Sequence, residues 1–157
     1  GILSRTDRIV RAMLRDDSER QALATNMDVG LVYVDFARRD VTFAGAKIAL
    51  YYSDGDSVEE LPGGRRAIGD KRVGEYVNAQ VALQAGRTFY LTTDGFLDQA
   101  GGELGYGFGN SRFAEMIRVH ARRPLVEQGE AFSEVLAAYQ GDYAQRDDIT
   151  MLCFRFD

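Results

Sequence analysis

Short β-type runs joined by tight turns fill the middle of this chain, and that pattern leaves few folds open. Residues 27–36 (MDVGLVYVDF) and 40–45 (DVTFAG) flank Ala37-Arg38-Arg39, which predicts an antiparallel hairpin. Residues 47–53 (KIALYYS) and 57–61 flank Ser53-Asp54-Gly55-Asp56. That is a hairpin turn, because glycine accepts positive φ and aspartate tolerates it. Pro62-Gly63-Gly64 reads as a loop and 65–75 as irregular. Residues 76–83 (YVNAQVAL) form a further strand, which turns at Gln84-Ala85-Gly86 into the run that ends at Asp94. Residues 149–156 close the chain as a last strand.

The helices are grouped. Ile2, Leu3, Ile9, Val10, Met13 and Leu14 fall near a helical period, predicting a helix over 2–24 that Asp16-Asp17-Ser18 can interrupt. A second helix should start near Asn110-Ser111, either of which could cap it, with Phe113, Met116 and Ile117 inward. After Pro124 a third runs over 125–140, with Phe132, Val135, Leu136 and Tyr139 at helical spacing. Runs of strands and grouped helices define an α+β protein with antiparallel pairing, not a doubly wound parallel sheet. A chain of 157 residues, 45% of them hydrophobic, fits one domain with its own core.

Two strand ends carry acids. The run Gly86-Arg87-Thr88-Phe89-Tyr90-Leu91-Thr92-Thr93 leads into Asp94-Gly95, and no matching strand returns directly. A carboxylate at the tip of a buried strand is costly unless its charge is compensated, and a hard divalent cation is one compensator. Asp147-Asp148 stands immediately before the apolar run 149–156. Adjacent carboxylates repel unless a cation lies beside them. The expectation is that the two strand ends meet and share metal.

Other residues point to structure. Asp54-Gly55 belongs to a turn. Gly105, Gly107 and Gly109 follow G-x-G-x-G spacing with no strand running into it, so a mobile loop is favoured over a phosphate cradle. His120, the one histidine, has no second histidine or cysteine near it and reads as a surface or C-terminal-turn residue, where positive charge is favourable. Cys153, the one cysteine, reads as a small buried apolar side chain and excludes a disulfide framework. A net charge of -5 argues against a nucleic-acid binder, which would present a basic face. No apolar run nears the ~18 residues of a membrane span, so no membrane insertion by this segment and a cytoplasmic location are expected, although a parent protein could be membrane-anchored.

Four segments carry a family resemblance. YLTTDGFLDQAG resembles the TDG-x-x-E-A motif of bacterial SpoIIE-class phosphatases, in the metal-dependent protein phosphatase 2C (PPM) superfamily. RDDITMLCF resembles their R-D-D-[IM]-T motif, DVTFAGAKIALYY their strand–A-G-H–strand segment, and GYGFGNSRF their F-G-x-x-[RK]-[LF] segment. The four occur in the family's order from about residue 27 onward, and within the class the chain resembles the phosphatase modules of SiaA-like regulators.

The resemblance implies an α-β-β-α sandwich of antiparallel sheets. It implies hydrolysis of phosphoserine or phosphothreonine on a protein, commonly a STAS-domain anti-sigma-factor antagonist. Two Mn²⁺ or Mg²⁺ ions would serve the complete domain. By position Asp94 and Asp147 are its metal ligands and catalytic acids, and Gly95 joins the metal set. Thr93, Asp98 (where the family often has glutamate) and Asp148 lie around them. Ala46 replaces the histidine of A-G-H, with little harm expected. The family's early G-D-[WYF] acid and D-G-x-G-H-G motif are not found, and Asp28-Val29-Gly30 is no substitute. The chain therefore reads as the C-terminal portion of such a domain, inactive alone if the other ligands are missing. A non-catalytic partner-binding module of the same fold is the alternative, and a metal-dependent nuclease is disfavoured by the acidic charge. A homodimer is allowed.

Overall fold

The computed structural model of the chain describes residues 1–16 and 26–156. It divides into two compact units, Gly1–Leu50 with Leu61–Leu83 and Tyr51–Glu60 with Gln84–Asp157.

The first unit sets helix α1 (Ile2–Asp16) against a three-stranded antiparallel sheet of β1 (Val29–Asp35), β2 (Asp40–Ala46) and β5 (Ala79–Ala82), ordered β1-β2-β5. The expected hairpin is present, with Asp35 opposite Asp40 and Val29 opposite Ala46. Leu3 of α1 packs with Ala44, Ala46 and Ile68, and Val10 adds to that cluster. The inner stripe of α1 is Leu3, Asp7 and Val10, whereas Ile2, Ile9 and Met13 are exposed. Asp7 can sit inside because its carboxylate accepts the Gly69 N–H at 2.9 Å, which offsets the cost of burying it. The extension of this helix through Glu19 to Ala24 lies outside the described residues.

The segment 65–75 is irregular, as expected, yet Ile68 is fully buried and exchanges backbone hydrogen bonds with Met27 at 2.8 and 2.9 Å. Lys47 adopts φ 66°, so the strand expected from residue 47 cannot start there. Its ladder resumes at Leu50.

The second unit holds a four-stranded antiparallel sheet in the order β4-β3-β6-β9, from β3 (Leu50–Ser53), β4 (Val58–Leu61), β6 (Thr88–Thr92) and β9 (Met151–Arg155). The β3–β4 turn is closed by the Asp54 carboxylate, which accepts the Asp56 and Ser57 N–H groups, each at 3.0 Å. Those bonds hold the Asp54 carboxyl below its usual pKa. One helical turn, α2 (Asp94–Asp98), follows β6. A small hairpin of β7 (Ala100–Gly101) and β8 (Tyr106–Gly107) stands where a mobile loop was expected. The Tyr139 hydroxyl pins it by donating to the Tyr106 carbonyl at 2.9 Å.

Helix α3 (Gly109–His120) begins one residue before Asn110-Ser111, and neither supplies a side-chain cap. Its inner face is Phe113, Met116 and Ile117, as the spacing required. Phe113 meets Tyr51 and Phe96 edge-on, with centroids 5.0 and 5.3 Å apart. Helix α4 (Leu125–Gln140) buries Phe132 and Leu136. It also buries Gln128, whose carboxamide accepts the Tyr90 hydroxyl at 2.8 Å and donates to the Ala121 and Arg123 carbonyls at 3.1 and 2.8 Å. That one side chain ties β6 to the α3–α4 connection. The fold class is α+β with antiparallel sheets, as the sequence pattern predicted.

Candidate functional site

The site is built where β6 and β9 run out side by side. Their register ends with Thr92 opposite Met151, which sets Thr93 beside Thr150. The Thr93 N–H donates to the Thr150 carbonyl at 3.0 Å. Its hydroxyl donates to the Asp148 carbonyl and accepts the Thr150 N–H, both at 3.0 Å. Gly95 then packs directly on the other turn. A Cβ placed on it would lie 2.4 Å from the Asp148 carbonyl oxygen and 3.0 Å from its carbon. The TDG turn and the acid turn are thus in backbone contact, and Thr93, Asp94 and Gly95 come together with Asp147 and Asp148. Asp98 lies at the last position of α2, a helical turn after Asp94.

One expectation is corrected. Asp94 is not a carboxylate at a buried strand tip: it is exposed, at the first position of α2. Thr93 is extended at φ -72° and ψ 161°, and the chain then turns so that Gly95 and Phe96 go inward. Asp98, Asp147 and Asp148 are exposed as well. Desolvation therefore does not force a counter-ion on these acids.

The Asp147 turn is ordered by local bonds. One Asp147 carboxylate oxygen accepts the Asp148 N–H at 2.7 Å, and the Gln145 carboxamide donates to the Asp147 carbonyl at 2.8 Å. Carboxylate oxygens suit Mn²⁺ or Mg²⁺ in kind. In number they fall short: among the described residues no group of three or more histidine, cysteine, aspartate or glutamate side chains could hold a metal ion. The donors present fit part of a divalent-ion site.

His120 and Cys153 are elsewhere in chemistry as well as in place. Burial, helped by the Arg123 charge and opposed by Glu134, pulls the His120 pKa below its ordinary value, so the neutral ring is favoured, contrary to the expected positive charge at that helix end. Its Nδ1 is buried without a hydrogen-bond partner among the described residues. Burial pushes the half-buried Cys153 thiol up to about 11, as befits an unreactive side chain.

Sequence reasoning missed Gln99 and Gln128, both buried and hydrogen-bonded. Gln128 had a signal, because it lies four residues before Phe132 on the apolar stripe. Gln99, between Asp98 and Ala100, had none.

This fold, with a Thr-Asp-Gly turn after β6 that packs through Thr93 and Gly95 on the Arg-Asp-Asp turn before β9, is that of a PPM-type phosphatase domain. The family model described as stage II sporulation protein E (SpoIIE) matches residues 1–157, and the chain belongs to that family. Among solved structures it is similar to the SiaA-PP2C domain of Pseudomonas aeruginosa, with 62% identity, a TM-score of 0.87, and coverage of 99% of this chain and 59% of that one. The phosphatase domain of SpoIIE from Bacillus subtilis, presoaked with Mn, matches at 15% identity and TM-score 0.65 over 97% of this chain and 73% of that one. The RsbU and RsbW domains of a Mycobacterium tuberculosis protein match at 20% and 0.67, over 94% and 41%. The latter two likenesses speak for the fold alone. No curated protein sequence matches the chain. Among the described residues no helix is long and apolar enough to cross a membrane.

Proposed function

We propose that this chain is the C-terminal portion of a metal-dependent protein serine/threonine phosphatase domain. Its substrate class is a phosphorylated bacterial signalling protein of the STAS anti-sigma-factor-antagonist type, in the cytoplasm. The observation that carries this reading is the contact of the two acidic turns through Thr93 and Gly95, which brings Asp94 and Asp147 to one end of the same sheet.

In this reading Asp94 and Asp147 hold divalent cations, with the Gly95 backbone beside them. Asp148 and Thr93 keep the two turns in register, and Asp98 extends the acidic rim. When bound, the Mn²⁺ or Mg²⁺ pair supplies an activated water and neutralises charge on the phosphoryl group, so no covalent nucleophile is needed. That suits a chain whose one histidine lies away from the acids on α3. The remaining ligands come from upstream residues of the parent protein.

The test is Mn²⁺-dependent release of phosphate from a phosphoserine protein by the parent protein. Asp94→Ala should lower the rate by a factor of about 100 or more, since a metal's charge stabilisation is worth several kcal/mol. A parent protein inactive with Mn²⁺ and Mg²⁺ on phosphoserine and phosphothreonine proteins would refute the reading. The shortage of donors among the described residues favours one second reading: a partner-binding module of the same fold, which would capture the phosphoprotein without turnover.

A further inference from the structure

We propose that Gln99 is a positioning residue that holds the Asp147 turn against α2, an inference that rests on the phosphatase reading for its functional consequence. Gln99 caps the C-terminal end of α2 and is only 1% exposed. Its carboxamide nitrogen donates to the Ala100 carbonyl at 3.0 Å and to the Ala144 carbonyl at 3.2 Å. Ala144 lies three residues before Asp147. The carboxamide oxygen is buried too and has no hydrogen-bond partner among the described residues.

A buried acceptor left unmet is a stability cost that an apolar residue would avoid. Packing alone therefore does not account for a glutamine here. What the side chain does is tie to the end of α2 a stretch that is exposed from 141 to 148 and whose other bonds, at Tyr143, Gln145 and Asp147, are short-range. Thr93 holds the far end of that stretch at Asp148 and Thr150. The segment bearing Asp147 is thus fastened by residues at both ends of the one-turn helix that bears Asp94. Two groups six residues apart in sequence, at 93 and 99 with the helix between them, set where the two carboxylates stand relative to each other.

The experiment compares wild type with Gln99→Met, which keeps the volume but has no N–H, and Gln99→Glu, which keeps the shape but turns a donor into an acceptor facing two carbonyls. Hydrogen exchange on the chain should quicken at residues 145–149 in both variants, with β6 protection unchanged. Mn²⁺ titration of the parent protein should show affinity weakened about tenfold or more, the scale seen when groups that orient metal ligands are removed. A residue that merely fills space would leave Gln99→Met at wild-type Mn²⁺ affinity, and that result overturns the proposal. Unchanged exchange at 145–149 overturns it as well. If the wild-type parent binds no Mn²⁺, the phosphatase reading falls, and the exchange measurement still decides whether Gln99 holds the turn.

Discussion

Adding a single methyl group at Gly95 tests the contact on which the site depends. In Gly95→Ala the new Cβ would sit 2.4 Å from the Asp148 carbonyl oxygen, against 3.4 Å or more for an ordinary contact. One turn must therefore move by about 1 Å relative to the other. Neither neighbour can swing aside, because both atoms within 3.0 Å belong to the Asp148 backbone. That backbone is itself fastened by the Thr93 hydroxyl. Forcing a methyl into such a space costs about 1–3 kcal/mol. For a chain of this length the melting temperature should drop by roughly 2–12 °C, read by circular dichroism. The consequence for activity is larger, since misplacing a reacting group by about 1 Å can cost a factor of 100. Mn²⁺-dependent phosphate release by the parent protein should fall to that extent. Gly129→Ala, inside α4 with nothing within 4 Å of the added carbon, is the control and should gain about 0.5–1 kcal/mol. A Gly95→Ala protein that melts with wild type and keeps its activity would show that the two turns do not need this contact.

Two further outcomes concern the scaffold. Gln128→Leu strands the Tyr90 hydroxyl and the Ala121 and Arg123 carbonyls, so the urea midpoint should fall by the equivalent of about 2–5 kcal/mol, while Gln128→Glu should be no better because it loses both donors. His120 has a folded-state pKa below its ordinary 6.5, chiefly through burial, so the unfolded chain binds more protons near that pH. Its contribution to stability is complete above about 6.5 and is lost as the pH falls toward the folded value. Urea midpoints at pH 7.5 and 5.5 should show this loss in wild type and a smaller one in His120→Gln.

The β1–β2 and β3–β4 hairpins were legible because each rests on local rules, whereas the meeting of the two acidic turns was an expectation from acids at two strand ends and from the order of the family's motifs. Alternating apolar residues, Asp-Gly at a turn and an abrupt glycine after Thr93-Asp94 are short-range signals. What escaped depends on partners distant in the chain. Nothing near Asp7 announces that the Gly69 N–H will meet it, so the helix stripe pointed to Ile9 when the buried stripe contains an acid. Lys47 takes a left-handed backbone conformation inside what reads as a strand, because its N–H reaches the Gly64 carbonyl at 2.7 Å. The exposure of Asp94 follows from a single helical turn, too short for periodicity to reveal. The same limit hid Gln99, whose role is set by Ala144.

The register of β6 with β9 has a consequence for how such a centre comes into being. Thr92 finds Met151 only after a loop of about sixty residues has closed, a slow and entropically costly event compared with winding α3 or α4. Partly folded forms can possess every helix and still lack the contact between the two acidic turns. Assembly of the acidic rim is then a late checkpoint, and a cation drawn to it would select finished molecules over nearly finished ones.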